Sequence, residues 1–238
     1  MKKIFLLLIC AIFLCSCEGV NYRDYLTEGD VDDMKILTYS VGLNYTNCYL
    51  VYDEKSKNAC LIDAAEYDDR IFDAILENSL SLEYIILTHG HFDHILGAEA
   101  FKEKTGAVIV IHELEKEYLE DPEKSMTYLN NRETVTADIL LKDNDILNVG
   151  DISLKVIHTP GHTKGSSCFI IEKDKIMFSG DTLFKGSIGR YDFYGGDYNI
   201  LMESLQKLKS LNVNYTIYPG HGDATTLDDE IAENPYFR

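Results

Sequence analysis

Three features of this 238-residue sequence predict a mixed α/β (α+β) fold in which two sheets pack face to face with helices outside. Groups of short apolar strand-like runs are followed by helical stretches, and the pattern occurs twice. The length suits one sizeable domain of about 200 residues plus an extension and is too short for two separate cores. Metal-competent side chains recur at strand ends beside glycine, where backbone can approach closely.

The chain opens with a segment apart from the fold. Lys2 and Lys3 form a positive start, and Ile4 to Leu14 is an apolar run of eleven residues. That is too short to cross a bilayer, which takes about 20 residues in helix, but it fits the apolar region of a secretion signal. Leu14-Cys15-Ser16-Cys17 follows and resembles a bacterial lipoprotein processing site. By that resemblance residues 1–16 are removed and Cys17 becomes the lipidated first residue, giving an exported protein anchored to a membrane by lipid alone. Residues 17–33 are polar and acidic, a flexible tether. Met34-Lys35-Ile36-Leu37 also reads as the start of a cytoplasmic protein, the competing localisation.

The folded domain spans 34–238. Ile36 to Val41, Thr46 to Tyr52 and Ala59 to Asp63 read as strands, followed by a helix from Asp68 to Asn78 whose apolar face is Ile71, Ala74, Ile75 and Leu76. The apolar run Tyr84 to Leu87 reads as a buried strand of the parallel type. After it come a helix over Ile95–Lys104, a strand over Ala107–Ile111 and a charged helical surface stretch from Glu113 to Arg132, broken at Pro122. Strands restart at Ile146–Val149, Ile152–His158, Ser166–Ile171 and Ile176–Ser179. A helix Tyr198–Ser210 and a strand Tyr215–Tyr218 complete the pattern.

Function is concentrated at the end of the Tyr84 strand. Thr88-His89-Gly90-His91-Phe92-Asp93-His94 places three of the chain's seven histidines within six positions. In extended chain His89 and His91 point to one side. Asp93 and His94, where a helix begins, diverge and could serve a second ion. Three further segments present ligand-type residues at strand ends: Thr159-Pro160-Gly161-His162, Ser179-Gly180-Asp181 and Tyr218-Pro219-Gly220-His221.

The string H-x-H-x-D-H resembles that of the metallo-β-lactamase-fold hydrolases, and the resemblance implies their αββα sandwich with the site at one edge. It implies that His89, His91 and His162 hold one metal, that Asp93, His94 and His221 hold another, and that Asp181 bridges them. Nitrogen and oxygen donors without thiolate suit two zinc ions, and also iron or manganese. Two such cations would acidify a water to hydroxide near neutral pH, with Asp93 steering its proton.

Gly180-Asp181-Thr182-Leu183-Phe184-Lys185-Gly186-Ser187-Ile188-Gly189-Arg190 and the ending through Asn234-Pro235-Tyr236 closely resemble the glyoxalase II-type thioesterases, above all the short bacterial members. The resemblance implies a thioester hydrolase, with Arg190 meeting the peptide-like thiol portion of the substrate; a fold-stabilising ion pair is its structural alternative. It also suggests that Asp63 orients a ligand from behind, although a strand-terminating aspartate would look the same. An aspartate at position 181 speaks against antibiotic hydrolysis as the main activity. Full-length glyoxalase II enzymes append a glutathione-binding domain, whereas seventeen residues follow His221 here, so the resemblance does not carry glutathione with it. A lactonase, a phosphodiesterase, an iron-dependent persulfide dioxygenase, or a metal-binding lipoprotein without turnover would use similar donors.

Composition argues against a nucleic-acid partner, and the resemblance implies a small-molecule substrate. Acidic residues outnumber basic ones 40 to 22, a formal charge of −18 that repels a nucleic-acid backbone. Cys48, Cys60 and Cys168 sit in apolar strand-like runs and read as buried thiols. His158 reads as structural, and His112 as a surface or capping residue.

Overall fold

The computed structural model describes residues 33–130 and 134–238. The expected signal, Cys17 and all but the last residue of the tether lie outside them. The first half comprises β1 (Met34–Val41), β2 (Thr46–Asp53), β3 (Asn58–Ile62), α1 (Asp69–Glu77), β4 (Ser81–Ile86), α2 (Phe92–Ile95), α3 (Ala98–Thr105), β5 (Val108–His112), α4 (Lys116–Glu120), α5 (Pro122–Ser125) and β6 (Ile139–Leu141). The second half comprises β7 (Ile146–Val149), β8 (Ile152–His158), β9 (Ser167–Ile171), β10 (Ile176–Gly180), a small β11–β12 hairpin (Leu183–Phe184, Ser187–Ile188), α6 (Tyr198–Lys209), β13 (Thr216–Pro219), β14 (Thr225–Thr226) and α7 (Leu227–Glu233).

Two six-stranded sheets result, ordered β1-β2-β3-β4-β5-β6 and β14-β13-β10-β9-β8-β7. The first changes from antiparallel to parallel at the β3–β4 pair. The second is antiparallel except where β10 meets β13. β2 is buried at all eight positions, because successive side chains enter different layers. Tyr49 and Val51 join Ile62, Phe169, Phe178 and Tyr218 between the sheets. Leu50 turns the other way, into the layer shared by Ile71 of α1 and Phe101 of α3. Leu201, Leu205 and Leu208 of α6 cover Met177 and Ile217 on the far side of the second sheet. The architecture is therefore the expected αββα sandwich.

The element boundaries differ from the sequence expectation in instructive places. The helix expected over Ile95–Lys104 is split into α2 and α3 at Gly97, whose N–H donates to Ala64 O at 2.8 Å. A Cβ there would lie 2.5 Å from the carbonyl carbon of Glu66, so the chain must bend at a residue without one. The described part of the Glu113–Arg132 stretch, up to residue 130, is likewise a series of short turns of helix around α4 and α5, with Pro122 beginning the second, where its missing N–H is harmless. The edge strands β6 and β14 and the helix α7 had no assignment from the sequence. No described helix is long and apolar enough to cross a membrane.

The two sheets are tied together at one edge. Asn47 N–H donates to Gly220 O at 2.8 Å, the Asn47 amide donates to Pro219 O at 3.0 Å, and Tyr49 OH donates to Pro219 O at 2.6 Å. Ser167 N–H reaches Thr88 O at 3.0 Å. These bonds hold the end of β13 against β2 and the segment after β4 against the loop after β8, and Gly220 N–H, donating to Gly180 O at 2.9 Å, joins the end of β10 to them. Phe169, fully buried between the sheets, should lose about 3–5 kcal/mol of folding free energy on replacement by alanine. Tyr49→Phe, which removes one donor from a carbonyl that keeps a second, should lose about 1 kcal/mol. Urea unfolding of the two variants measures both, and equal losses would contradict this account of the layers.

Candidate metal centre

All seven residues expected to bind metal meet at that edge. His89 and His91 follow β4, with Asp93 and His94 on the single turn of α2. His162 lies in the turn between β8 and β9, Asp181 directly follows β10, and His221 follows β13. Donor atoms of His89, His91 and His162 lie within 4.8 Å of one another, as do those of Asp93, His94 and His221. His89, His94 and Asp181 form a third such group, linking the other two. Asp181 stands between the trios: Oδ1 is 3.4 Å from His94 Nε2, while Oδ2 is 3.7 Å from His162 Nε2 and 3.5 Å from His221 Nε2.

Backbone freedom makes this crowding possible. Gly180 has φ +49°, a left-handed conformation that lets the chain turn out of β10, and a Cβ on it would lie 2.4 Å from Thr88 Oγ1. A Cβ at Gly220 would lie 2.3 Å from Asp181 Oδ1 and 2.8 Å from His94 Cε1. Only glycine fits at either place.

Hydrogen bonds behind the cluster set which ring nitrogens face inward. His162 Nδ1 is 2.7 Å from Arg190 O, a carbonyl that can only accept, so Nδ1 carries the proton and Nε2 presents its lone pair to the cluster. Asp63 Oδ2 lies 2.9 Å from His94 Nδ1 and fixes that ring in the same way. Asp63 is itself held by Thr88, whose N–H donates to Oδ1 at 2.8 Å and whose hydroxyl donates to Oδ2 at 2.9 Å. The Thr88 hydroxyl also stands 3.1 Å from His89 Nδ1, leaving His89 Nε2 3.1 Å from His162 Nε2. On the open side, Asn44 donates to Asp93 Oδ2 at 2.8 Å.

These residues fit a pair of cations. Burial, joined by the neighbouring imidazoles, pushes His89 well below the usual histidine value. Burial does the same to His91 and His162, against Asp181, so the first trio is neutral, the form that coordinates metal. The second trio sits in the opposite field. Burial lowers His94, but Asp181, Asp63 and Asp93 prevail and raise it to about 10. His221 is raised by Asp181 against burial. Burial would also raise Asp181, yet His94, His221 and His162 hold it well below the usual carboxylate range. A field that draws protons this strongly attracts any cation placed there. Asp181 Oδ1 is buried without a hydrogen-bond partner, an acceptor that a metal between the trios would satisfy.

A family model described as the metallo-β-lactamase superfamily matches residues 41–221. The chain belongs to that superfamily. A Haemophilus influenzae protein named hydroxyacylglutathione hydrolase GloC is 37% identical over 195 residues, covering 80% of this chain and 92% of its own length. Among solved structures, the BLEG-1 B3 metallo-β-lactamase is 33% identical with a TM-score of 0.79, covering 85% of this chain and 99% of its own. TTHA1623, solved in a di-iron-bound form, is 30% identical with a TM-score of 0.74, covering 84% of this chain and 99% of its own. The superfamily consists generally of hydrolytic metalloenzymes that typically bind two metal ions, and this chain carries the matching His/Asp cluster. Its relatives include glyoxalase II-like proteins.

The other sequence candidates fall outside the cluster. Arg190 forks onto Asp192, with Nε to Oδ1 at 2.8 Å, and its guanidinium lies 3.3 Å from the Phe193 ring centroid. Phe193 in turn meets the His91 ring edge-on at 6.0 Å. His158 is structural as expected, with Nε2 2.9 Å from Lys164 O. His112 caps a turn, accepting from Leu114 N–H at 3.3 Å, but it is buried and stacked on His158 at 4.2 Å, not a surface residue. Cys48, Cys60 and Cys168 are free and buried. The sequence reading missed Thr88, Asn44 and Glu115, whose roles depend on contacts 25 or more residues away.

Asp63 has φ +55°, a conformation asparagine adopts more readily than most residues. Asp63→Asn should therefore fold while losing the charge behind His94, weakening metal binding about 10–100-fold. Competition with a chelator of known affinity measures this, and unchanged affinity would remove Asp63 from the metal's support.

Proposed function

We propose that the protein is a dinuclear-metal thioester hydrolase of the glyoxalase II type. The observation that carries this reading is Asp181, a carboxylate set between two trios of donors with one buried oxygen unpartnered. His89, His91 and His162 would hold one ion and Asp93, His94 and His221 the other, with Asp181 shared. Two zinc ions are the proposed occupants; the di-iron form of TTHA1623 makes iron the competing metal. Metal ions held there would supply a water acidified to near neutral pH and electrostatic stabilisation for a developing oxyanion.

The chain's own residues do the rest. Asp93, fixed through Oδ2 by Asn44, keeps Oδ1 free of that bond to take a proton from the attacking water. A thiol with a pKa of about 8.5 departs as thiolate without strong general-acid help, so a site rich in metal donors suits thioesters better than amides. Arg190, half exposed beside the His91 side of the cluster, is placed to exchange Asp192 for a substrate carboxylate on the thiol portion. On the opposite side, a cavity of about 280 Å³ opens between the β1–β2 turn and α2, lined among others by Val41, Leu43, Phe92, Leu96, Glu66 and Asp93. Among the described residues no cationic side chain lines it, so it suits an uncharged acyl group.

A panel of thioesters, lactones, phosphodiesters and a β-lactam, given to the metal-loaded protein, tests the reading. The β-lactam belongs there because BLEG-1 is among the similar structures. Thioesters should be the class turned over fastest, and Asp181→Ala should lose the second metal and most of the rate. Arg190→Ala should raise KM for thioesters of carboxylate-bearing thiols while leaving kcat nearly unchanged. A faster lactone or β-lactam arm, or an indifferent Asp181→Ala, would sink the assignment.

The N-terminal sequence supports a second part of the proposal, an exported protein anchored by lipid at Cys17. Radiolabelled palmitate should enter the wild type and not Cys17→Ala; label in both would overturn Cys17 as the lipid's site, and label in neither would favour a cytoplasmic protein beginning at Met34.

A further inference from the structure

Outside the donor set, the most unusual group in the molecule is Glu115, a carboxylate with no exposed surface. It sits in the turn after β5, and its two oxygens face different loops. Oε2 accepts the Gly90 N–H at 2.7 Å, and Oε1 accepts the Gly165 N–H at 2.6 Å. Both bonds have the short length of charge-assisted hydrogen bonds. Gly90 lies between His89 and His91; Gly165 lies three residues after His162. One carboxylate therefore spans the two loops that carry the first trio. Both points require glycine: a Cβ on Gly90 would lie 2.5 Å from Tyr118 Cβ and 3.1 Å from Glu115 Oε2, and one on Gly165 would lie 2.8 Å from Glu115 Cγ.

The charge balance of the cluster gives this contact a purpose. Carboxylates surround the second trio, where Asp93 and Asp181 face His94 and Asp63 stands behind it. The first trio contains only imidazoles and shares Asp181. Glu115 is the buried negative charge on its far side, reached through Gly90.

We propose that Glu115 is a positioning residue for the first metal: it fixes the His89/His91 loop against the His162 loop and sets a negative charge behind three neutral donors. The proposal rests on the metal-holding reading of the cluster and is independent of the substrate. Ser167 N–H to Thr88 O already joins the same loops, so a tie for stability alone has a neutral solution. Burial pushes the Glu115 carboxyl up, to about 7, against the pull of Thr163, Gly165 and Gly90.

The test is cobalt(II) titration of the full-length, metal-stripped Glu115→Gln variant, followed by visible absorption. His162→Ala and His221→Ala provide the reference spectra for loss of the first and second positions. Glutamine keeps one acceptor oxygen, loses the charge and turns an NH2 toward the other glycine N–H, so the stripped variant should have a lowered thermal midpoint. The expected result is at least a tenfold weaker first position with an unchanged second position. Unchanged affinity at both positions overturns the proposal, as does equal weakening at both. A wild type that binds no cobalt overturns the metal reading as well, so the two failures are distinguishable. Hydrogen exchange on the stripped wild type decides the matter should the variant not fold: the Gly90 and Gly165 amides should exchange slowly, and rapid exchange at either refutes the clamp.

Discussion

Five imidazoles and two carboxylates drawn into overlapping groups of donors are the constraint around which this edge of the protein is built. The lone pairs of His89 and His162 stand 3.1 Å apart at their Nε2 atoms, and burial keeps both rings neutral. Without a positive charge between them, converging lone pairs repel. The surrounding structure is arranged to hold the donors in this position, and most of its specific features follow from that requirement.

The sandwich supplies the rigidity. Four loops reach one edge because β4, β10 and β13 end there and the β8–β9 turn joins them. Asn47, Tyr49 and Thr88 then link one sheet to the other at that same edge. Apolar burial between the sheets fixes the frame, and polar contacts at the edge fix the donors. The division is physical: packing tolerates small shifts, whereas ligand geometry tolerates very little. Asp63 shows how far the local chain bends to this end, adopting a left-handed φ so that one carboxylate can serve Thr88 and His94 together.

Much of the fold and nearly all of the donor set could be read in the sequence because both depend on local spacing. Strands such as Thr46–Asp53 contain a continuous apolar run, here Cys48–Tyr52, and the H-x-H-x-D-H string brings four donors together within six residues. What escaped the reading depends on contacts made only after folding. The split between α2 and α3 comes from the backbone of Glu66, 31 positions before Gly97. β6 and β14 are two- or three-residue edge strands defined by their neighbours rather than their composition. Asn44 looks like an ordinary turn residue until α2 places Asp93 beside it, 49 positions on. Glu115 sits in a charged stretch that reads as surface, and its burial follows from the approach of Gly90 and Gly165.

The same contacts explain why fold and chemistry are separable in this superfamily. The donors occupy loops that leave one edge of a common frame, so a shared site is compatible with relatives as different as a hydroxyacylglutathione hydrolase and a B3 metallo-β-lactamase. Selectivity must then come from what flanks the cluster. Here the two flanks differ in charge: Arg190 lies on the His91 side, while Glu66 and Asp93 line the cavity by the β1–β2 turn. A molecule lying across the cluster would meet positive charge at one end and only neutral or negative groups at the other. For the proposed thioester hydrolase, that polarity would orient an asymmetric substrate before any bond is broken, and would favour one whose carboxylates all lie on one side of the reacting carbonyl.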